Sequence, residues 1–575
     1  MNNKIIKQRP SCFDPIGIFL PVVIFSLIWF PVHAQDLENT GSEDPFKLKG
    51  SVKAEMGFYG VSGKDANRKP FTWSLSGNPT LSVYGIDVPL NFFFTEQQRE
   101  FRQPLNRFGI SPKYKWARLY LGYNSVNYSK HTMAGHRFNG AGINLSPGKF
   151  RFGFVYGRLK RAVTEADLDD EDVTVFRSLS YKRMGYSFKI GYGTDEHYVD
   201  IILLKAKDDE NSLDSVPTGQ NLTPAENLVL GLITKQRFAS YWQFELEAAQ
   251  SVYTPDTRLN ETNTKQNGWT RTFGFLIKER QNTYTASAVD ASLQYQRDTW
   301  SARIRYNRLS PQYQSMGAYY FMTDLRKITF EPSIKLWKNK VNINMRLGFQ
   351  RDNLDNTKRA QTNRTTGLVN ITATPLNNYQ INASYSNYSL GQQSGNSDPD
   401  SLTEIRQATH NALLNQSYTI VRETKVHNFL LTLNYQKLND KNEFTSPFTD
   451  FNSVAMNVHY VLTFIPTVMT VMTGLNVSTY DVSAINTRVW GPVITISKGF
   501  FKNAFNISLS DALSRTALNG SPYLLSNRLS LRATYKYLKK HRFSVRTSIY
   551  GNKGLTKGAA TYTETLGKIS YAYTF

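Results

Sequence analysis

Apolar and polar residues alternate with period two along most of the chain. Phe46, Leu48, Val52, Ala54, Met56 and Phe58 fall on one side, and Lys47, Lys49, Ser51, Lys53 and Glu55 on the other. That spacing is a strand with one apolar and one polar face, longer than most strands of soluble proteins. The pattern returns at 300–307, where Trp300, Ala302, Ile304 and Tyr306 alternate with Ser301, Arg303, Arg305 and Asn307. It returns again at 341–350 and 528–537, and the chain closes on Ile569, Tyr571, Tyr573 and Phe575 with Lys568, Ser570, Ala572 and Thr574 between them. No long stretch carries a helical period.

The connections between these strands alternate in length. Short turns fall at 194–197, 375–378, 422–425 and 539–541, and long polar segments at 161–177, 208–226, 253–283 and 391–411. Tight turns on one side and long loops on the other predict an all-β fold: a single transmembrane antiparallel up-and-down β-barrel with short periplasmic turns and long extracellular loops. In lipid every backbone polar group must pair inside the sheet, and only closure removes the edges. A row of soluble β-sandwiches would instead show domain-sized repeats and linkers, and neither is present. The expected strand number is about 24, within 22–26. One difficulty of parity arises upstream of the turn 146–149. The candidates 46–60, 71–85, 88–95 and 115–124 leave the count one strand out, so that either one does not cross the membrane or 126–129 is an extra short strand.

The N-terminus assigns the compartment. Lys4, Lys7 and Arg9 precede an apolar stretch at 16–30, and Val32-His33-Ala34 fits a small-residue cleavage pattern. This predicts a signal peptide over 1–34, cut after Ala34, a short periplasmic segment over 35–45, and a barrel over 46–575 in the cell outer membrane. The apolar stretch is shorter than the ~20 residues of a membrane-spanning helix. Loss of three cations and Asp14 would take the formal charge from +23 to +21. Away from cytoplasmic nucleic acid, that charge would meet lipid phosphate, lipopolysaccharide or anionic solutes. Aromatics make up 13% of the chain, too many for a disordered one. The single cysteine, Cys12, excludes a disulfide scaffold.

The stretch NRFGISPKYKWARLYLGYNSVNYSKHTMAGHRFNGAGINLSPGKFRFGFVYGR at 106–158 and the later SMGAYYFMTDLR at 315–326 resemble segments of large outer-membrane β-barrel proteins of Bacteroidota. The resemblance implies an outer-membrane barrel of undetermined function and brings no catalytic residues. Tyr571, Tyr573 and Phe575 look like the C-terminal signal read by the barrel-assembly machinery.

Chemical motifs are scarce. The phosphate-loop, zincin and nucleophile-elbow patterns are missing, so no enzyme and no cofactor is expected. His131 and His136 lie five apart without a nearby third ligand, which favours structural or solvent-facing roles over a metal site. The acidic run Glu165, Asp167, Asp169, Asp170, Glu171 and Asp172 lacks the glycine and terminal Glu of a calcium loop and reads as a solvated surface. Arg303, Arg305, Arg346, Arg528, Arg532 and Arg546 sit on polar faces and are expected to line the lumen, since a cation on the lipid face costs about 2–4 kcal/mol at the midplane. They would either select anions or pair with carboxylates such as Asp290 and Glu331. The segment 96–113, with Pro104, Pro112 and the cations Arg99, Arg102, Arg107 and Lys113, is a candidate lumen plug. The loop 253–283 competes for that place. Three functions follow: a porin-like channel for solutes, with anions favoured by the arginines; a scaffold or secretion-associated barrel docking other envelope proteins; and an outer-membrane enzyme. With only 35–45 ahead of the first strand, an N-terminal plug domain is not expected.

Overall fold

The computed structural model describes residues 46–83, 86–95, 109–164, 178–213, 221–262, 268–319, 322–394 and 404–575. Among these, 29 strand segments join in one sheet. Three wall strands are each interrupted once, so the wall has 26 strands. Phe46–Lys49 resumes as Ser51–Ser62, Phe71–Gly77 as Thr80–Val83, and Gly109–Ile110 as Lys113–Tyr114. The first two breaks face each other. Gly50 has φ +111°, and a Cβ there would lie 2.9 Å from the Cα of Pro79, so the site accepts only glycine.

Ser51–Ser62 pairs on one side with Phe71–Gly77 and on the other with the last strand, Tyr562–Thr574. That last pairing runs without a bulge from Ser51 opposite Thr574 to Ser62 opposite Thr563. The wall is closed. Its even strand number sets the start of the first wall strand and the end of the last at one rim, the rim of tight turns such as 194–197, 377–378 and 422–424. The opposite rim carries the long connections, with two exceptions at 483–484 and 519–520.

The parity difficulty is resolved by the strand at 109–114 and not by 126–129, whose first two residues end the strand Ala117–Asn127. The short strand pairs with Ile86–Thr95 and with Ala117–Asn127. Lys113, expected in a plug, therefore belongs to the wall, opposite Asp87 on one side and Arg118 on the other. Its carriers hide it from a pattern search: six residues broken at Ser111-Pro112 are too short to alternate. Pro112 offers no N–H, and its carbonyl accepts from the Leu119 N–H at 2.9 Å. Residues 96–108, with Arg99, Arg102 and Arg107, lie outside the described residues, as do 1–45 and the acidic run at 165–172.

Alternation sets the two faces. Leu121, Ile201, Ile304, Phe349, Ile494 and Ile569 project outward and are exposed. At the tight-turn rim the outward residues become aromatic: Trp242 and Tyr295 are 4.8 Å apart, Tyr295 and Trp300 4.9 Å, Phe429 and Tyr460 5.0 Å, Phe543 and Tyr571 4.8 Å. An apolar exterior bounded by an aromatic girdle is the surface a bilayer requires. Tyr571 donates to or accepts from His541 Nδ1 at 2.8 Å, Tyr573 packs edge-on against Phe575 at 4.9 Å, and the Phe575 N–H reaches the Gly50 carbonyl at 3.0 Å.

The described residues of the loop after Trp242–Thr254, 255–262 and 268–283, do not enter the lumen. Its short helix Gly268–Phe273 sets Trp269 and Phe273 against the outward residues Leu203, Leu228, Leu230 and Val252, and Ile277 is buried beside them. The same outward face carries the ion pair Lys205–Glu226, 2.7 Å long and nearly withdrawn from the surface. A loop this apolar has more to bury against wall and lipid than against a wet lumen.

Candidate functional site in the lumen

Two other connections fold inward. Residues 128–133, between Ala117–Asn127 and Ala134–Leu145, meet 310–319, which follow Trp300–Leu309. Tyr313 Oη donates to the His131 carbonyl at 2.7 Å, Ser315 Oγ to the Thr132 carbonyl at 2.5 Å, and the Ala134 N–H to the Gly317 carbonyl at 2.9 Å. His136 stacks on Tyr319 at 4.4 Å. The two stretches that carry the family resemblance thus lock together, although about 180 residues separate them.

The locked pair is anchored to the lumen wall. Ser251 Oγ donates to the Gln314 carbonyl at 2.6 Å, the Met316 N–H to Asn227 Oδ1 at 3.0 Å, and Tyr128 Oη to Asn144 Oδ1 at 2.7 Å. Met133, Ile202, Leu204, Val229 and Tyr313 are essentially inaccessible in this contact. Each such side chain contributes about 1.5–3 kcal/mol by leaving water. Glycine permits the fit: a Cβ on Gly317 would lie 2.5 Å from the Thr132 carbonyl oxygen, and one on Gly231 2.7 Å from Thr132 Cγ2. Burial lowers the pKa of His131 and raises that of Tyr313, so both are held neutral within the plug. His131 belongs to the plug and His136 to the Tyr319 stack. Among the described residues no group of three His, Cys, Asp or Glu is arranged to hold a metal ion.

Beneath the plug lies a set of paired charges. Asp290, 6% exposed, accepts from Lys130 Nζ at 2.5 Å and from Arg305 at 2.8 and 2.5 Å. Glu247 accepts from Ser129 Oγ at 2.5 Å and lies 3.6 Å from Lys130. Arg303 Nε donates to Gln294 at 3.0 Å. These groups, with Tyr198 and Glu245, bound a cavity of about 200 Å³ in which three cations face three carboxylates. Nearby, Arg151 grips Asp200 with two bonds of 2.8 and 3.0 Å while lying 4.2 Å from the Tyr198 ring.

The remaining lumen is different. Arg346 still meets Glu331 at 2.8 Å. Beyond it the inward face is largely hydroxyl and amide, with pairs such as Thr432–Asn415, Ser417–Asn428, Thr495–Ser510 and Ser544–Ser570 at 2.6–3.1 Å. Arg528, Arg532 and Arg546 then stand exposed on the inward face without a carboxylate partner among the described residues. Arg528 lies 5.5 Å from the Tyr550 ring, and Arg532 is directly opposite Arg546, itself opposite Lys568. The six expected lumen arginines all face inward, but they form two groups: Arg303, Arg305 and Arg346 are held by neighbours, and Arg528, Arg532 and Arg546 face open lumen. Missed by sequence reading were Lys130, Glu247, Asp200 and Arg151, whose partners lie on other strands. The glycines and small residues in HTMAGH and SMGA were the one local sign of close packing.

No protein-family model matches the chain, and no curated protein matches it. Solved structures similar to it include OccAB2 of Acinetobacter baumannii, 12% identical, covering 61% of this chain and 92% of that one with a TM-score of 0.29. The outer membrane protein OprD of Pseudomonas aeruginosa is 8% identical over 68% of this chain and 93% of its own, TM-score 0.30. The siderophore receptor PirA of the same organism is 9% identical over 92% and 80%, TM-score 0.35. With identity this low and superposition this loose, the barrel rests on the chain's own strand register.

Proposed function

We propose that the protein is a porin-like outer-membrane channel, narrowed by the 128–133 and 310–319 plug, through which polar solutes pass along the wall from Ala360 to Thr574, with anions preferred. The carrying observation is the asymmetry of the lumen. One sector is filled and charge-neutralised, and the other is a wet hydroxyl and amide surface ending in uncompensated Arg528, Arg532 and Arg546. Uncompensated cations on a pore wall raise the local concentration of anions. Export by cleavage after Ala34, insertion by the assembly machinery through Tyr571, Tyr573 and Phe575, and contact with lipopolysaccharide on the outer rim belong to the same reading. So does membership of the Bacteroidota barrels, on the resemblance carried by 106–158 and 315–326.

Purified protein in a planar bilayer tests it. The expected result is a conductance whose reversal potential in a KCl gradient reports chloride preference, reduced by Arg528→Gln with Arg532→Gln. A protein that inserts and conducts nothing, even with the plug loosened, would overturn the channel reading. One observation favours the scaffold alternative in that event: Phe444 and Phe448 stand 57% and 74% exposed beside the low turn at 483–484.

A further inference from the structure

We infer that the seam where the barrel closes holds a discrete binding site for soluble organic anions carrying two or more charges, of the polycarboxylate or sugar-phosphate kind. The inference deepens the channel reading and rests on it.

At the seam a cavity of about 830 Å³ opens on the lumen face. Its cations come from two directions: Arg546 and Lys568 from the wall, Arg68 and Lys69 from the connection 63–70. Glu55 is the one carboxylate in its lining, and it is already engaged by Lys53 and Lys568. The next carboxylate, Glu564, is taken by Lys64 at 2.7 Å and by Tyr59 Oη at 3.1 Å. Arg68, Lys69 and Arg546 have no ion pair among the described residues.

Register sharpens the picture. Across the wall at one height run Arg532, Arg546, Lys568, Gly57 and Thr72, each directly opposite the next. Like charges placed directly opposite one another destabilise a sheet. Of the three consecutive cations only Lys568 has a carboxylate, Glu55, so Arg532 and Arg546 keep a repulsion that a bound anion relieves. Beside them the row loses its side chain at Gly57, where a Cβ would lie 2.6 Å from Thr72 Oγ1. The glycine leaves a floor, and the hydroxyls of Tyr59, Thr72, Ser74 and Ser548 surround it.

Volume selects the class of ligand. Pockets of roughly 300–1,000 Å³ hold small organic molecules, whereas chloride or phosphate alone would leave this one mostly water. Arginine forks bind carboxylate and phosphate oxygens two at a time, so each additional charge on the solute adds bonds.

The test uses the whole reconstituted barrel, with citrate and glucose 6-phosphate as probes and acetate at equal ionic strength as the control. Citrate is expected to reduce chloride current saturably, and acetate is not. Arg68→Gln with Lys69→Gln should weaken the block at least tenfold, and Lys557→Gln, on an exposed turn, should leave it unchanged. Equal effects of citrate and acetate, or a block untouched by the double substitution in a barrel that still heat-modifies normally, would overturn the site. Citrate protection against thermal unfolding provides a second readout independent of current. Protection without anion preference would sink the channel reading and keep the site, and preference without saturable block or protection would do the reverse.

Discussion

The wall from Ala117 to Asp352 and the wall from Ala360 to Thr574 are built from the same alternation yet differ in what they face. In the first, strands are 10–13 residues long and inward loops press on their lumen side. In the second they are 13–17 residues long, and no apolar side chain among the described ones is buried. Charge follows the same division. Under the plug Lys130, Arg305, Asp290 and Glu247 are paired, and in the open sector Arg528, Arg532 and Arg546 are not. Water explains the contrast. A charge withdrawn from solvent must find an opposite charge or be lost, whereas a charge on a wet wall is solvated where it stands.

Asp290→Asn should have the largest effect, because it leaves Lys130 and Arg305 without their shared carboxylate under the plug. Asp290 is buried but Lys130 and Arg305 stay nearly half exposed, so the loss should fall below the about 3–5 kcal/mol of a fully buried pair, with the urea midpoint of the detergent-folded barrel falling and conductance rising together. Gly317→Val comes next. Overpacking of a close contact costs about 1–3 kcal/mol, enough to shift the plug toward an undocked state. Gly551→Val, where a Cβ meets nothing within 4 Å, should change neither conductance nor stability. Equal effects of Gly317→Val and Gly551→Val would erase the distinction between the sectors.

A smaller effect should follow pH. Burial depresses the pKa of His131, with Lys130 and Arg305 acting the same way and Glu247 and Asp290 opposing. The docked loop therefore disfavours the proton that an undocked histidine would take near its ordinary pKa of about 6.5. Docking is fully stable above that value and weakens as pH falls below it, by at most a factor of ten per pH unit. Open probability should rise between pH 7.5 and 5.5, and His131→Gln should flatten the rise. The smallest effect belongs to Arg532→Gln, an exposed lumen residue facing a like charge. Its unfolding midpoint should stay within about 0.5 kcal/mol of the parent or improve slightly, while chloride preference falls.

Alternation and turn length made the barrel legible, along with the inward direction of all six arginines, because both follow from a period of two. Whether Arg305 and Arg346 would be compensated was undecidable until register placed Asp290 and Glu331 beside them. The strand at 109–114 was invisible because six residues broken at Pro112 carry no period. The plug was invisible for a different reason: Tyr313 and His131 are distant in sequence, and their contact depends on how two loops bend. The outward course of 268–277 did leave a trace, since Trp269, Phe273, Phe275, Leu276 and Ile277 are too apolar for a loop in water.

Closure through Ser51–Ser62 and Tyr562–Thr574 has a kinetic consequence. Nearly every other strand pairs with its neighbour in sequence, so the sheet can grow by short-range steps of low contact order. The final ladder joins residues more than 500 positions apart, such as Ser51 and Thr574. Until those ends meet, the sheet has two unsatisfied edges that no hydrocarbon can solvate. A ladder of such high contact order is expected to form last, and it is the line along which a weakened wall is expected to part first. Its twelve residue pairs, with the bond from the Phe575 N–H to the Gly50 carbonyl, are the latch that turns a ribbon into a vessel.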